Sequence, residues 1–197
     1  VGYWEVPYGE ETAINGWWTR APATSFFRTL LKRFPCLPLI AEDLGEITAD
    51  VRETMHLFGF PGMKVLVFAF YEDIPLHPFL PHTYERNSVA YTGTHDTNTT
   101  LGWFGHETDA ATRKRLFRYL GREVSAEQVP WELIRLAMGS VADKAIFPMQ
   151  DVLGLDEASR MNLPSTTHDN WSWRIRPEEF SPELARRLAD MGATYGR

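Results

Sequence analysis

Short apolar runs alternate with stretches of helical spacing along this chain. The runs lie at 37–41, 63–70, 88–92 and 145–149. Nearly continuous apolar runs of this length suit strands buried on both faces, as in parallel sheets covered by helices. Between them, Phe26, Phe27, Leu30, Leu31 and Phe34 recur at helical spacing, with Thr24 or Ser25 as a cap. Thr48 can cap a second helix carrying Val51 and Met55, which Gly59 stops. Ser125 and Gln128 have capping-box spacing, Pro130 suits a first helical turn, and Trp131, Ile134, Met138 and Val141 form a stripe. Ser181 and Pro182 open a last helix with Leu184, Leu188 and Met191 on one side.

Strand, helix, strand, helix predicts βαβ units and a parallel sheet, an α/β fold. Four strands make half of an eight-stranded β/α barrel, with an open doubly wound sheet as the rival. The chain has 197 residues, short of the roughly 250 typical of a complete barrel. No internal repeat or low-complexity segment interrupts it. The start at Val1-Gly2-Tyr3-Trp4 reads as a cut inside a longer protein.

Bulk properties narrow the function classes. A net charge of −6 supplies no electrostatic footprint for nucleic acid. Arg113, Lys114, Arg115 and Arg118 fall on one helix and read as its solvated face. The apolar stretch 65–70 is far too short to cross a bilayer, so no membrane role is expected. The single cysteine, Cys36, forms no internal disulfide, which points to a reducing compartment and a cytoplasmic location.

In a β/α barrel, catalytic side chains gather at the C-terminal ends of the strands. Glu42 and Asp43 directly follow the first run, Asp96 follows the third and Asp151 the fourth. Carboxylates converging on one rim suit glycosidic bond cleavage, where one donates a proton and another stays ionised. Taken singly, such acids also serve as solvated residues or caps. His95 beside Asp96 makes no metal site alone, and His56, His82, His106, His168 and Cys36 lack ligand spacing. No metal or cofactor is expected. Trp131 fits the core, while Trp4, Trp17, Trp18, Trp103, Trp171 and Trp173 lie in loop-like stretches that could present rings to a sugar.

Several linked motifs carry a resemblance. In order they are Tyr3-Trp4-Glu5-Val6-Pro7, Ala41-Glu42-Asp43-Leu44-Gly45, Phe60-Pro61-Gly62-Met63 and Gly93-Thr94-His95-Asp96. Gln150-Asp151-Val152-Leu153-Gly154, Arg160-Met161-Asn162 and Asn170-Trp171-Ser172-Trp173-Arg174 follow. Over essentially its whole length the chain resembles the 4-α-glucanotransferase (amylomaltase) family, as its C-terminal half.

The resemblance implies strands 5–8 of a TIM barrel of the α-amylase type and a retaining transglycosylase passing α-1,4-glucan units between glucans. Glu42 would be the general acid/base, and Asp96 the transition-state stabiliser. His95, Asp43, Phe68 and Asn162 would line the glucan site. Two departures stand against the family pattern. Thr97 replaces the usual Asn after Asp96, and the Arg-x-Asp-His stretch of the nucleophile is absent from residues 1–197. The isolated chain is therefore expected to be inactive, with exposed strand edges at 37–41 and 145–149 open to self-association. A non-catalytic glucan-binding module and a glucan hydrolase are the alternatives.

Overall fold

A computed structural model describes residues 1–197. The chain divides into two compact units, Val1–Gly62 and Met63–Arg197.

In the first unit, β1 (Gly2–Glu5) pairs antiparallel with β2 (Trp17–Arg20), with Gly2 opposite Arg20 and Glu5 opposite Trp17. The Trp4 and Trp18 rings meet edge-on at 5.6 Å, and Trp4 Nε1 donates to the Ala13 carbonyl at 2.8 Å. Two helices follow, α1 (Ala23–Arg33) and α2 (Ala49–Phe58). Phe27 of α1 packs between Phe58 at 5.4 Å and Phe60 at 4.9 Å, which joins the two helices. Thr48 occupies the N-cap of α2 and Gly59 ends it at φ 66°, the left-handed region that glycine enters without steric cost.

The expected strand at 37–41 does not form, which removes one of the two strand edges on which self-association rests. The segment is irregular. Its N–H groups are spent locally, Leu37 on the Phe34 carbonyl at 3.1 Å and Leu39 on the Leu37 carbonyl at 3.0 Å. Pro38 has no N–H to give, so a ladder cannot run through it. One bond of strand type survives, from Ala41 N–H to the Pro61 carbonyl at 2.9 Å.

The second unit opens with β3 (Gly62–Val65), shorter than the run at 63–70 predicts, because Leu66–Phe70 coils into a 3₁₀ turn. β4 (Ser88–Tyr91) lies between β3 and β5 (Lys144–Ile146). β4 and β5 are parallel, with Val89 opposite Lys144 and Tyr91 opposite Ile146. Their C-terminal ends therefore share one side, and there the loop beginning at Thr92 emerges. A short turn, α3 (Thr100–Gly102), precedes α4 (Ala110–Leu120) and α5 (Val129–Met138). The Ser125/Gln128 capping box is present ahead of α5. Past β5 come α6 (Met149–Leu153) and, after a long irregular stretch, α7 (Pro182–Tyr195), capped by Ser181. Trp131, Ile134 and Met138 of α5 form a core with Val152, and Leu184, Leu188 and Met191 of α7 pack against it. Val141 lies beyond the helix and is exposed, so it drops out of the expected stripe.

The basic cluster on α4 is not simply a solvated face. Arg115 donates to the Phe70 carbonyl at 2.6 Å and the Tyr71 carbonyl at 2.8 Å. Arg113 lies 4.6 Å from the Phe104 ring centroid and donates to the Phe104 carbonyl at 2.8 Å, while Arg118 pairs with Asp73. These side chains tie loop backbone to the helix.

Asp151 is buried at the start of α6, so this strand-end acid belongs to the core rather than to an open rim. Its carboxyl accepts from Thr92 Oγ1 at 2.6 Å, Thr100 N–H at 2.8 Å and Thr100 Oγ1 at 2.9 Å. Burial pushes its pKa above the ordinary 3.8, against the downward pull of those bonds. The folded state therefore binds this proton more tightly than the unfolded chain. The stabilisation is full below pH 3.8 and is lost as pH rises through the folded value. Urea unfolding of wild type and Asp151→Asn across pH should show wild type losing stability relative to the variant as pH increases. A difference flat in pH would contradict this.

Candidate functional site

The loop after β4 is built from its own threonines. Thr97 Oγ1 accepts from Thr94 N–H at 2.9 Å and donates to the Thr94 carbonyl at 3.0 Å. Asp96 N–H is bonded to Thr94 Oγ1 at 3.2 Å. A Cβ at Gly93 would lie 2.6 Å from Thr97 Oγ1, so the turn requires glycine there. The threonine that departs from the family pattern thus closes the turn presenting Asp96.

Asp96 is held on both carboxylate oxygens. Asn162 Nδ2 donates to Oδ1 at 2.6 Å, and His95 Nε2 lies 3.3 Å from Oδ2. The Asn162 bond is the firmer hold, being well inside hydrogen-bond distance where the His95 contact is long. The His95 and Asp96 side chains remain 55% and 51% exposed, so a carboxylate with lone pairs to spare faces outward. Such a group accepts from hydroxyls and stabilises positive charge developing nearby.

The strand of chain opposite is pinned to the same loop. Asn162 N–H donates to the His95 carbonyl at 3.1 Å, and Trp171 N–H to the Met161 carbonyl at 2.7 Å. Asn170 folds the intervening segment, accepting from Leu163 N–H at 2.8 Å and donating to the Thr166 carbonyl at 3.1 Å. Trp171 then adopts φ 61°, a left-handed conformation costing a side-chain-bearing residue about 1–3 kcal/mol. That backbone sets its ring 5.0 Å from the His95 ring, with 53% of the residue exposed. An open indole beside a carboxylate is an arrangement for the apolar face and the hydroxyls of a sugar.

His95, Asp96 and Asn162 are thus brought together. Phe68 belongs to another ring cluster, tilted against Phe79 at 5.6 Å, with His77 beyond it. Glu42 and Asp43 belong to the first unit. The Glu42 side chain is exposed and accepts from Leu44 N–H at 2.9 Å. Asp43 is half-buried against Gly62, where any Cβ would collide with its carboxylate. The sequence marks Trp171 only as one of six tryptophans that could present a ring to a sugar, and it gives Arg160 no role. Both stand in motifs that carry the resemblance, yet neither the left-handed backbone of one nor the carbonyl targets of the other is visible in spacing.

Residues 1–180 match the family described as 4-alpha-glucanotransferase. The chain belongs to that family. It is 51% identical to the 4-alpha-glucanotransferase of Aquifex aeolicus, over 99% of this chain and 39% of that protein. The Synechocystis 4-alpha-glucanotransferase is 49% identical, over 99% of this chain and 38% of its own length. The chain thus spans about two fifths of the curated relatives it matches. The amylomaltase of Streptococcus agalactiae, solved in complex with acarbose, superposes on all of it with a TM-score of 0.90 and 33% identity. That match covers 39% of the amylomaltase chain. The Corynebacterium glutamicum amylomaltase, at 17% identity and a TM-score of 0.75, shares the fold over 96% of this chain and 34% of its own. No helix of this chain is long and apolar enough to cross a membrane.

Proposed function

We propose that the full-length gene product containing this chain is a retaining 4-α-glucanotransferase acting on α-1,4-glucan donors and acceptors. In this reading the chain belongs to the C-terminal half of a (β/α)₈ barrel, strands 5–8, with β3, β4 and β5 as wall strands. The nucleophilic aspartate implied by the family pattern is not among residues 1–197, so the activity is that of the full-length product. The observation that carries the reading is the Asp96 carboxylate, bonded to Asn162 and flanked by His95 and the open ring of Trp171 at the C-terminal end of a parallel strand.

Each residue has a physical task. Glu42 protonates the leaving 4-oxygen as the nucleophile attacks the anomeric carbon, then takes the proton from the acceptor's 4-hydroxyl. Asp96 accepts hydrogen bonds from sugar hydroxyls and offsets the positive charge of the oxocarbenium-like transition state. His95 donates to the same sugar, Trp171 supports its apolar face, and Asp43, Phe68 and Asn162 line the glucan path. Water and sugar compete for one intermediate, so transfer needs an acceptor in place before water arrives.

Labelled glucose supplied as acceptor with unlabelled maltodextrin separates the alternatives. Label entering chains of two or more units is the expected outcome. Shortened donor with all label left in free glucose would make the protein a hydrolase. Unchanged donor that still binds would make it a glucan-binding protein.

A further inference from the structure

We propose that Arg160 is a positioning residue for the transfer reaction, holding the backbones of Asp96 and Asn162 together so that their side chains meet. This rests on the reading of Asp96 as the transition-state stabiliser. The guanidinium donates from Nη2 to the Asp96 carbonyl at 2.7 Å and from Nε to the Asn162 carbonyl at 2.8 Å. Nη1 faces Glu107 Oε1 at 3.5 Å. Glu107 in turn accepts from Asn98 Nδ2 at 3.0 Å, and Asn98 is buried. The Arg160 side chain is only 20% exposed, so it is packed into place before any substrate arrives.

The geometry needs such a clamp. Asp96 and Asn162 are 66 residues apart, and both stand on irregular loops. Their side-chain bond is exposed and exchanges with water, and the bond from Asn162 N–H to the His95 carbonyl at 3.1 Å ties the loops at one point, leaving their relative orientation to be set. One planar fork spanning both carbonyls fixes the separation of the two backbones from beneath, and the Glu107–Asn98 arm fixes the fork. Lysine, a single point donor, would serve one carbonyl at a time. Arg160 has no bond to the Asp96 carboxylate. It acts on the reaction through the backbone, on where that carboxylate stands when charge develops on the sugar.

The test compares Arg160→Ala and Arg160→Lys in the full-length gene product. Misplacing a group that works only in the transition state lowers kcat, here by about 10–100-fold, with KM nearly unchanged. Arg160→Lys should recover part of that loss, and both variants should melt as wild type does. In hydrogen exchange of the full-length gene product followed by mass spectrometry, the peptide containing Asn162 should exchange faster in Arg160→Ala. An unchanged kcat, a change confined to KM, or a loss that follows a lowered melting temperature would overturn the proposal while leaving the role of Asp96 intact. If Arg160→Ala does not fold, Arg160→Lys decides, with reduced kcat at unchanged melting as the required result. A wild type without transfer activity would sink the functional reading, and this proposal with it.

Discussion

Glu42→Gln in the full-length gene product lowers glucan transfer from maltotriose by about 10²–10⁴-fold, the usual contribution of a positioned general acid. The substitution is mild for the fold. Glu42 is exposed, and its one described bond is from Leu44 N–H to Oε1, which a glutamine oxygen can equally accept. What is lost is the proton. A maltosyl donor whose leaving group departs as a stable anion, such as fluoride, needs no protonation, so its first step should be largely spared. Kinetics on both donors make the check. Equal losses on the two would show that Glu42 binds or positions instead of donating a proton.

Asp96→Asn removes a charge and keeps a shape. The amide oxygen can still accept from Asn162 Nδ2, and the new amide nitrogen stands where Oδ2 now lies 3.3 Å from His95 Nε2. The loop is also held independently of the carboxylate, by the Thr94–Thr97 bonds and by Arg160 on the Asp96 carbonyl. Melting should therefore change little. The rate should fall on the order of 10²–10³-fold, as when one preorganised electrostatic partner of a transition state is lost. Because the charge matters most when the sugar carries positive charge, the loss belongs to kcat, with maltotriose KM nearly constant. A raised KM at wild-type kcat would demote Asp96 to a ground-state sugar contact.

Features that depend on residues close in sequence were legible before any coordinates. Thr48 and Gly59 bound α2, Ser125 and Gln128 form their box, and Ser181 caps α7, because each device acts within a few residues. The strand at 88–91 follows from a run of apolar residues without proline. The run at 37–41 has the same apolarity, but Pro38 and two local turns take the N–H groups a ladder would need. Apolarity reports burial, and hydrogen-bond supply decides the strand.

The site divides the same way. Asp96, His95 and Asn162 could be named because they stand in distinctive motifs. Asp151 stands at a strand end as a catalytic acid would, yet two threonines and burial absorb it into the core. Arg115 reads as surface charge and Arg160 carries no role in the sequence, because their partners are backbone carbonyls 45 and 64 residues away, where no sequence pattern marks them. Trp171 owes its place to a left-handed backbone, which nothing in its side chain announces.

One measurement bears most directly on the central claim, that this chain belongs to an enzyme exchanging α-1,4 linkages through a retained anomeric centre. Proton NMR of maltotriose incubated with the full-length gene product follows linkages, chain lengths and anomeric configuration together. The account predicts that glucose and longer chains appear while the total of α-1,4 linkages stays constant and every new linkage is α. A steady loss of linkages with rising reducing ends, new β-glycosidic linkage signals (as distinct from the β-anomers of free reducing ends), or an unchanged spectrum would contradict it.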